Sequence, residues 1–317
     1  MYVNRLWVGT HEGGYDGFTL DITEALDALA DGADAHELLL TVFDPSNRGP
    51  QPFGKQRIEA MYAPGGDTYS PVSGVWQPVW LESVPSRHIR SLSLRPNTER
   101  LELTVLTSVP DAGAVRVDVL DGATVVATAE GKANLPFSVR VPQPRLWSPE
   151  SPFLYNLSVS YPDDSGGAGD SVMSYFGMRE VSLCSVGGVM RPCLNGEWRF
   201  LAGVLDQSWW PDGQFTAPGE AALVSDVAVL KDFGMNFIRL HQKTNPCATP
   251  LLFYPRRRGH LRRAALGRVC GQGAVVLRCR PSRRDGGSGH GAALRVSLDT
   301  GAHQRQPLDR GACLLLA

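Results

Sequence analysis

Residues 194–243 read LNGEWRFLAGVLDQSWWPDGQFTAPGEAALVSDVAVLKDFGMNFIRLHQK, and the fold turns on them. Phe200-Leu201-Ala202-Gly203-Val204 is a short apolar run closing on small residues, as a buried strand does. A polar, aromatic-rich loop follows with Asp206, Gln207, Trp209, Trp210, Asp212 and Gly213. From Glu220 to Phe233, Ala222, Val227, Val229, Leu230 and Phe233 recur at helical spacing, and Gly234 supplies a stop. Asn236-Phe237-Ile238-Arg239-Leu240-His241 reads as a second buried strand. Strand, loop, helix and strand with a parallel return make one βαβ unit.

Upstream the pattern changes to strands alone. Seven runs between Pro85 and Leu183 read as β: 88–95, 101–107, 115–120, 124–129, 137–141, 154–161 and 172–183. Val115, Val117 and Val119 alternate with Arg116 and Asp118, and Asp121-Gly122 supplies a hairpin turn. Short strands at that spacing predict a β-sandwich. Nearer the start, Val3 to Gly9 suggests two short strands around an Asn-centred turn, and Glu37 to Phe43 a buried strand. Trp76 and Trp80 lie in the run VSGVWQPVWLE (72–82). Indole faces there suit either sugar stacking or packing against a neighbouring domain.

The 317 residues leave room for about two or three domains. No 18-residue apolar run is present, which argues against a membrane span. A net charge of −1 hides a division: residues 244–317 hold thirteen arginines, no lysine and three aspartates, giving +10 against −11 for residues 1–243. Six cysteines, at 184, 193, 247, 270, 279 and 313, form no CxxC pair, so unpaired thiols are expected rather than a zinc site.

Seven motifs share one resemblance. L-N-G-x-x-x-F-L-x-G-V-L-D-Q from Leu194, with W-P-D-G from Trp210 and G-x-N-x-I-R-x-H from Gly234, resembles the barrel opening of glycoside hydrolase family 2. That family contains β-galactosidases, β-mannosidases and β-glucuronidases. The run V-N-x-x-x-V-G-x-H-x-G-G-Y-x-x-F-x-x-D-I-T from Val3 and the run 72–82 are similar to its sugar-binding jelly roll. Leu146-Trp147-Ser148-Pro149 and Phe176-Gly177-Met178-Arg179-Glu180 resemble its linking sandwich.

The resemblance implies a multidomain β plus α/β chain. Residues 1–84 would be the C-terminal part of a sugar-binding jelly roll, and 85–184 an immunoglobulin-like β-sandwich. Residues 185–246 would be the first βαβ unit of a (β/α)8 TIM barrel, and 247–317 an anomalous Arg-rich tail, frameshifted or disordered. The jelly-roll motif stands at Met1, so several strands of that domain are expected to be missing, with exposed strand edges as the consequence. After Lys243 the resemblance stops. The run Tyr254-Pro255-Arg256-Arg257-Arg258-Gly259 is what a Tyr-His-Ala-Asp-like coding stretch yields when read one base early. Nucleic-acid binding by a basic tail is the rival reading, and the absence of Lys counts against it.

The resemblance also implies the chemistry: hydrolysis of the O-glycosyl bonds of β-glycosides with retention, by two carboxyl groups about 5–5.5 Å apart. In the family both are glutamates on later barrel strands, one following an Asn. This sequence has no Asn-Glu dipeptide and no Glu after Lys243, so no catalytic residue is assigned. What the resemblance leaves is a pocket wall: Asp206, Trp210 and Asp212 on the first barrel loop, Arg239 and His241 at the end of the second strand. Arg239 would then either meet the substrate or pair with an acid such as Asp206. A carbohydrate substrate is implied; no cofactor, metal, nucleic acid or membrane is. The alternative is a non-catalytic carbohydrate-binding or structural β remnant.

Overall fold

The computed structural model describes residues 1–28, 35–162, 169–207, 209–240, 275–279 and 293–300. The first region opens with β1 (Tyr2–Val3) and β2 (Leu6–Trp7), paired around Asn4 and Arg5, which both take positive φ. Asn4 donates to Ala25 O at 2.8 Å and accepts from Glu37 N at 3.0 Å, so the turn residue also fastens two neighbouring segments. There follow β3 (Phe18–Asp21), α1 (Thr23–Asp27), β4 (Ala35–Val42) and β5 (Val79–Ser83). Val3, Ile22, Leu38 and Leu40 form the centre of this region's core.

The second region is a β-sandwich. Its strands are β6 (Ser91–Asn97), β7 (Glu102–Ser108), β8 (Ala114–Asp121), β9 (Thr124–Lys132), β10 (Phe137–Arg140), β11 (Tyr155–Tyr161) and β12 (Asp170–Phe176). One sheet runs β10-β7-β6 and the other β12-β11-β8-β9. Leu103, Val105 and Val139 of the first meet Val115, Val117, Val119, Leu157 and Val159 of the second in one core. The alternation expected at 115–119 is present, with the three valines buried and Arg116 turned outward.

The run 172–183 is not one strand. It divides into β12 and β13 (Val181–Val186) on either side of Gly177, where an added Cβ would come within 3.2 Å of the Trp147 ring. β13 pairs with β14 (Val189–Leu194), and β14 with β15 (Glu197–Trp198). Here the expectation of unpaired thiols fails for two cysteines: Cys184 and Cys193 form a disulfide across this hairpin, their Cα atoms 5.9 Å apart. The spacing of nine residues carried no sign of it, because antiparallel pairing rather than local sequence brings the two together.

The motifs of the sandwich and of the following segment converge on Trp147. Its backbone N–H donates to Met178 O at 2.9 Å, and the Arg179 guanidinium lies 4.5 Å from its ring centroid. Burial pushes the Arg179 pKa down. Asn195 donates to Trp147 O and accepts from Glu180 N, both at 3.0 Å, while its own N–H donates to Glu180 O at 2.8 Å. A 2.6 Å ion pair between Arg199 and Glu150 lies alongside.

The last region carries β16 (Gly203–Asp206), α2 (Glu220–Asp232) and β17 (Phe237–Leu240), with β16 and β17 parallel. The expected strand-helix-strand unit is therefore present. Its first strand lies two to three residues later than the apolar run 200–204 suggested, and Phe200 is 72% exposed. Asn236 explains the shift: it donates to Phe200 O at 2.9 Å and accepts from Ala202 N at 3.0 Å, occupying backbone groups a strand would need. In the tail, β18 (Val275–Cys279) lies parallel between β3 and β5, with Leu277 fully buried. β19 (Ala293–Thr300) lies parallel to β4.

Candidate functional site

Asp206 ends β16, and Arg239 stands next to the last residue of β17. Gly203 opposes Phe237 so closely that an added Cβ would sit 1.8 Å from Phe237 O, which fixes glycine at the start of β16. The register pairs Leu205 with Arg239 and Asp206 with Leu240. Side chains alternate across a sheet, so Arg239 shares a face with Leu205 while Asp206 belongs to the other. This register does not make the Arg239–Asp206 ion pair that the sequence left open.

The charge of Asp206 is felt instead on the helix. Burial, and next the Asp206 carboxylate, raise the pKa of Asp226 on α2 above the usual carboxylate value. Arg239 is exposed, and His241 lies outside the described residues. Thus the structure places Asp206 and Arg239 on adjacent strands but opposite faces.

After Asp206 the chain makes a tight excursion. Trp210 N–H donates to Gln214 O at 2.8 Å, Gln214 N–H returns to Trp210 O at 2.9 Å, and Thr216 N–H donates to Gly213 O at 2.9 Å. Asp212 projects from the tip of this turn and is exposed, while Trp210 is half-buried at its base. Gln214 takes a positive φ of 51° within it.

The loop is held from a distance. Tyr69 stacks on Trp209 with ring centroids 4.3 Å apart and planes 13° from parallel. Its hydroxyl donates to Gln207 Oε1 at 2.8 Å across 138 positions of sequence. Trp76 meets Phe215 edge-on at 4.7 Å, and Thr216 Oγ1 donates to Trp76 O at 2.7 Å. Tyr15 contacts both Trp76 and Phe215 at 6.2 Å, and burial holds its pKa above the ordinary phenol value.

Trp76 therefore packs between regions, one of the two roles its position allowed, whereas Trp80 donates to Glu82 Oε1 at 3.0 Å. Two residues of this site carry no local sign of their role. Tyr69 lies in no apolar run, and Asn236 lies within G-x-N-x-I-R-x-H with nothing local to mark its backbone contacts.

Residues 90–179 match the family model described as "Glycosyl hydrolases family 2". Over 260 residues the chain is 28% identical to a candidate β-glucuronidase of Formosa agariphila, an alignment covering 78% of this chain and 29% of that protein. It is 24% identical over 204 residues to a β-galactosidase of Pseudoalteromonas haloplanktis, covering 58% of this chain and 19% of the relative. Among solved structures, a β-glucuronidase from Ruminococcus gnavus in complex with D-glucuronic acid superposes with a TM-score of 0.42 and 22% identity, over 49% of this chain and 26% of that one. The chain thus spans less than a third of the length of these proteins.

Proposed function

We infer that this family 2 glycosyl hydrolase-like chain is part of an enzyme that hydrolyses the O-glycosyl bonds of β-glycosides, and that it supplies one wall of the sugar pocket. The observation that carries this reading is the parallel pair β16 and β17, with the 206–216 loop and Arg239 at the ends of the strands. In a (β/α)8 barrel the strand C-termini are where substrates are bound. Residues 1–84 are read as part of a sugar-binding jelly roll, 85–184 as an immunoglobulin-like sandwich and 185–246 as the first βαβ unit of the barrel. The tail, 247–317, is read as foreign to that barrel.

Retaining hydrolysis needs a nucleophilic carboxylate and a second carboxyl acting first as acid and then as base. Among the described residues no further strand continues the β16–β17 pair, so the carboxyl pair expected on later strands is not assigned. Arg239 and His241 are assigned to hold a sugar hydroxyl or keep a reacting carboxylate ionised. Asp206 is assigned to the pocket wall, and Trp210 and Asp212 shape the loop.

The test offers nitrophenyl β-galactoside, β-mannoside and β-glucuronide to a chain whose reading frame is restored near Cys247. Hydrolysis of at least one sugar is expected. Replacing Arg239→Ala there should lower kcat/KM by tenfold or more, about 1.4 kcal/mol of transition-state stabilisation. A restored chain that binds sugars in calorimetry without hydrolysing any would instead support the non-catalytic reading.

A further inference from the structure

We propose that Tyr69, with Trp76, is a positioning residue: the first β region clamps the 206–216 loop through an aromatic junction and thereby sets the shape of the pocket wall. The proposal rests on the glycosidase reading for its purpose, but the clamp itself is defined by geometry.

The 206–216 loop is tied to itself by the Trp210–Gln214 pair and the Thr216-to-Gly213 bond. These shape the turn without fixing where it lies on the molecule. Its placement comes from upstream residues. Tyr69 grips Trp209 by stacking and Gln207 by a hydrogen bond; Trp76 grips Phe215 edge-on and accepts from Thr216. Phe215, at 6% exposure, is the buried pin of the junction and is also met edge-on by Trp209 at 5.7 Å.

The base of the clamp is fixed as well. Tyr69 N–H donates to Lys55 O at 3.0 Å, Arg57 N–H donates to Tyr69 O at 2.8 Å, and the Trp76 indole N–H donates to Gly14 O at 2.6 Å. An aromatic anchor whose own backbone is held loses little freedom when it closes on a loop, so its contacts act mainly on the loop. Asp206 begins the clamped segment and Trp210 and Asp212 lie within it. A change at Tyr69 is thereby transmitted to the candidate pocket without contacting a sugar.

The test is amide hydrogen exchange by mass spectrometry on the full 317-residue chain, following Trp210, Gln214 and Thr216, whose amides are hydrogen-bonded within the loop. Tyr69→Ala is expected to raise exchange there about tenfold or more, as loss of a stacked ring and a hydrogen bond implies. Exchange in β8 and β11 of the sandwich should stay unchanged. Tyr69→Phe keeps the ring and loses only the hydroxyl, so it should restore most of the protection.

Unchanged loop exchange in Tyr69→Ala, or a rise spread equally over loop and sandwich, would overturn the proposal. If Tyr69→Ala does not fold, Trp209→Ala and Trp209→Leu remove the stacked ring from the loop's own side. The same local rise is expected of them, and its absence counts against the clamp. No substrate enters this measurement, so failure of glycoside hydrolysis and failure of the clamp are separate results.

Discussion

Asn195 shows how a motif residue can serve architecture rather than chemistry. In the run Leu194-Asn195-Gly196 it takes a φ of 53°, and its side chain holds Trp147 O and Glu180 N together. Asn tolerates the left-handed region better than Ala does, and both bonds go to backbone groups. Asn195→Ala should therefore cost about 2–3 kcal/mol, from two lost hydrogen bonds and added backbone strain. Asn195→Gly, which relieves only the strain, should cost less. Urea unfolding of the two variants side by side checks this.

Asp226 gives a second prediction at this scale. Its folded-state pKa is raised, first by burial and then by the nearby Asp206 carboxylate. A carboxyl that protonates more readily when folded weakens the fold above its raised pKa. The penalty disappears below the ordinary value of about 3.9, where both states carry the proton. Asp226→Asn should accordingly raise the urea midpoint at neutral pH, and the gain should fade as pH falls through the raised pKa. A gain that persists undiminished at about pH 3, below the reference value, would show that the carboxylate pair is not its source.

At the scale of elements, legibility followed periodicity. Tyr155, Leu157, Val159 and Tyr161 of β11 are buried and alternate with half-exposed neighbours, between β8 on one side and β12 on the other. Such a two-residue period can be read directly from the chain. Leu157 is fully buried at the centre of this core. Leu157→Ala should lower stability by about 3 kcal/mol, measurable as a shift in urea midpoint at constant slope.

The misread elements were decided by contacts distant in sequence. Gly177 ends β12 against Trp147, and Asn236 takes the backbone groups of Phe200 and Ala202, delaying β16. The Cys184–Cys193 disulfide likewise depends on hairpin pairing. None of these partners lies in the window from which a strand is recognised.

For the molecule as a whole, the charge division at Lys243 and the succession of β strands followed by one βαβ unit were legible early. The site was legible only in part. Asp206, Trp210, Asp212 and Arg239 were named by resemblance, but their arrangement depends on the β16–β17 register and on the aromatic junction. Tyr69 reaches that junction from 138 positions upstream of Gln207, a distance over which no spacing rule operates. The junction gives the first β region a direct part in shaping the candidate pocket.

The central claim is that this chain carries a pocket wall without the pair of reacting acids. Its most direct test is prolonged incubation of the purified 317-residue chain with nitrophenyl β-galactoside, β-mannoside and β-glucuronide. Release of nitrophenol no faster than in buffer is the expected result. Turnover of any of the three, in proportion to the amount of chain added, would contradict the claim.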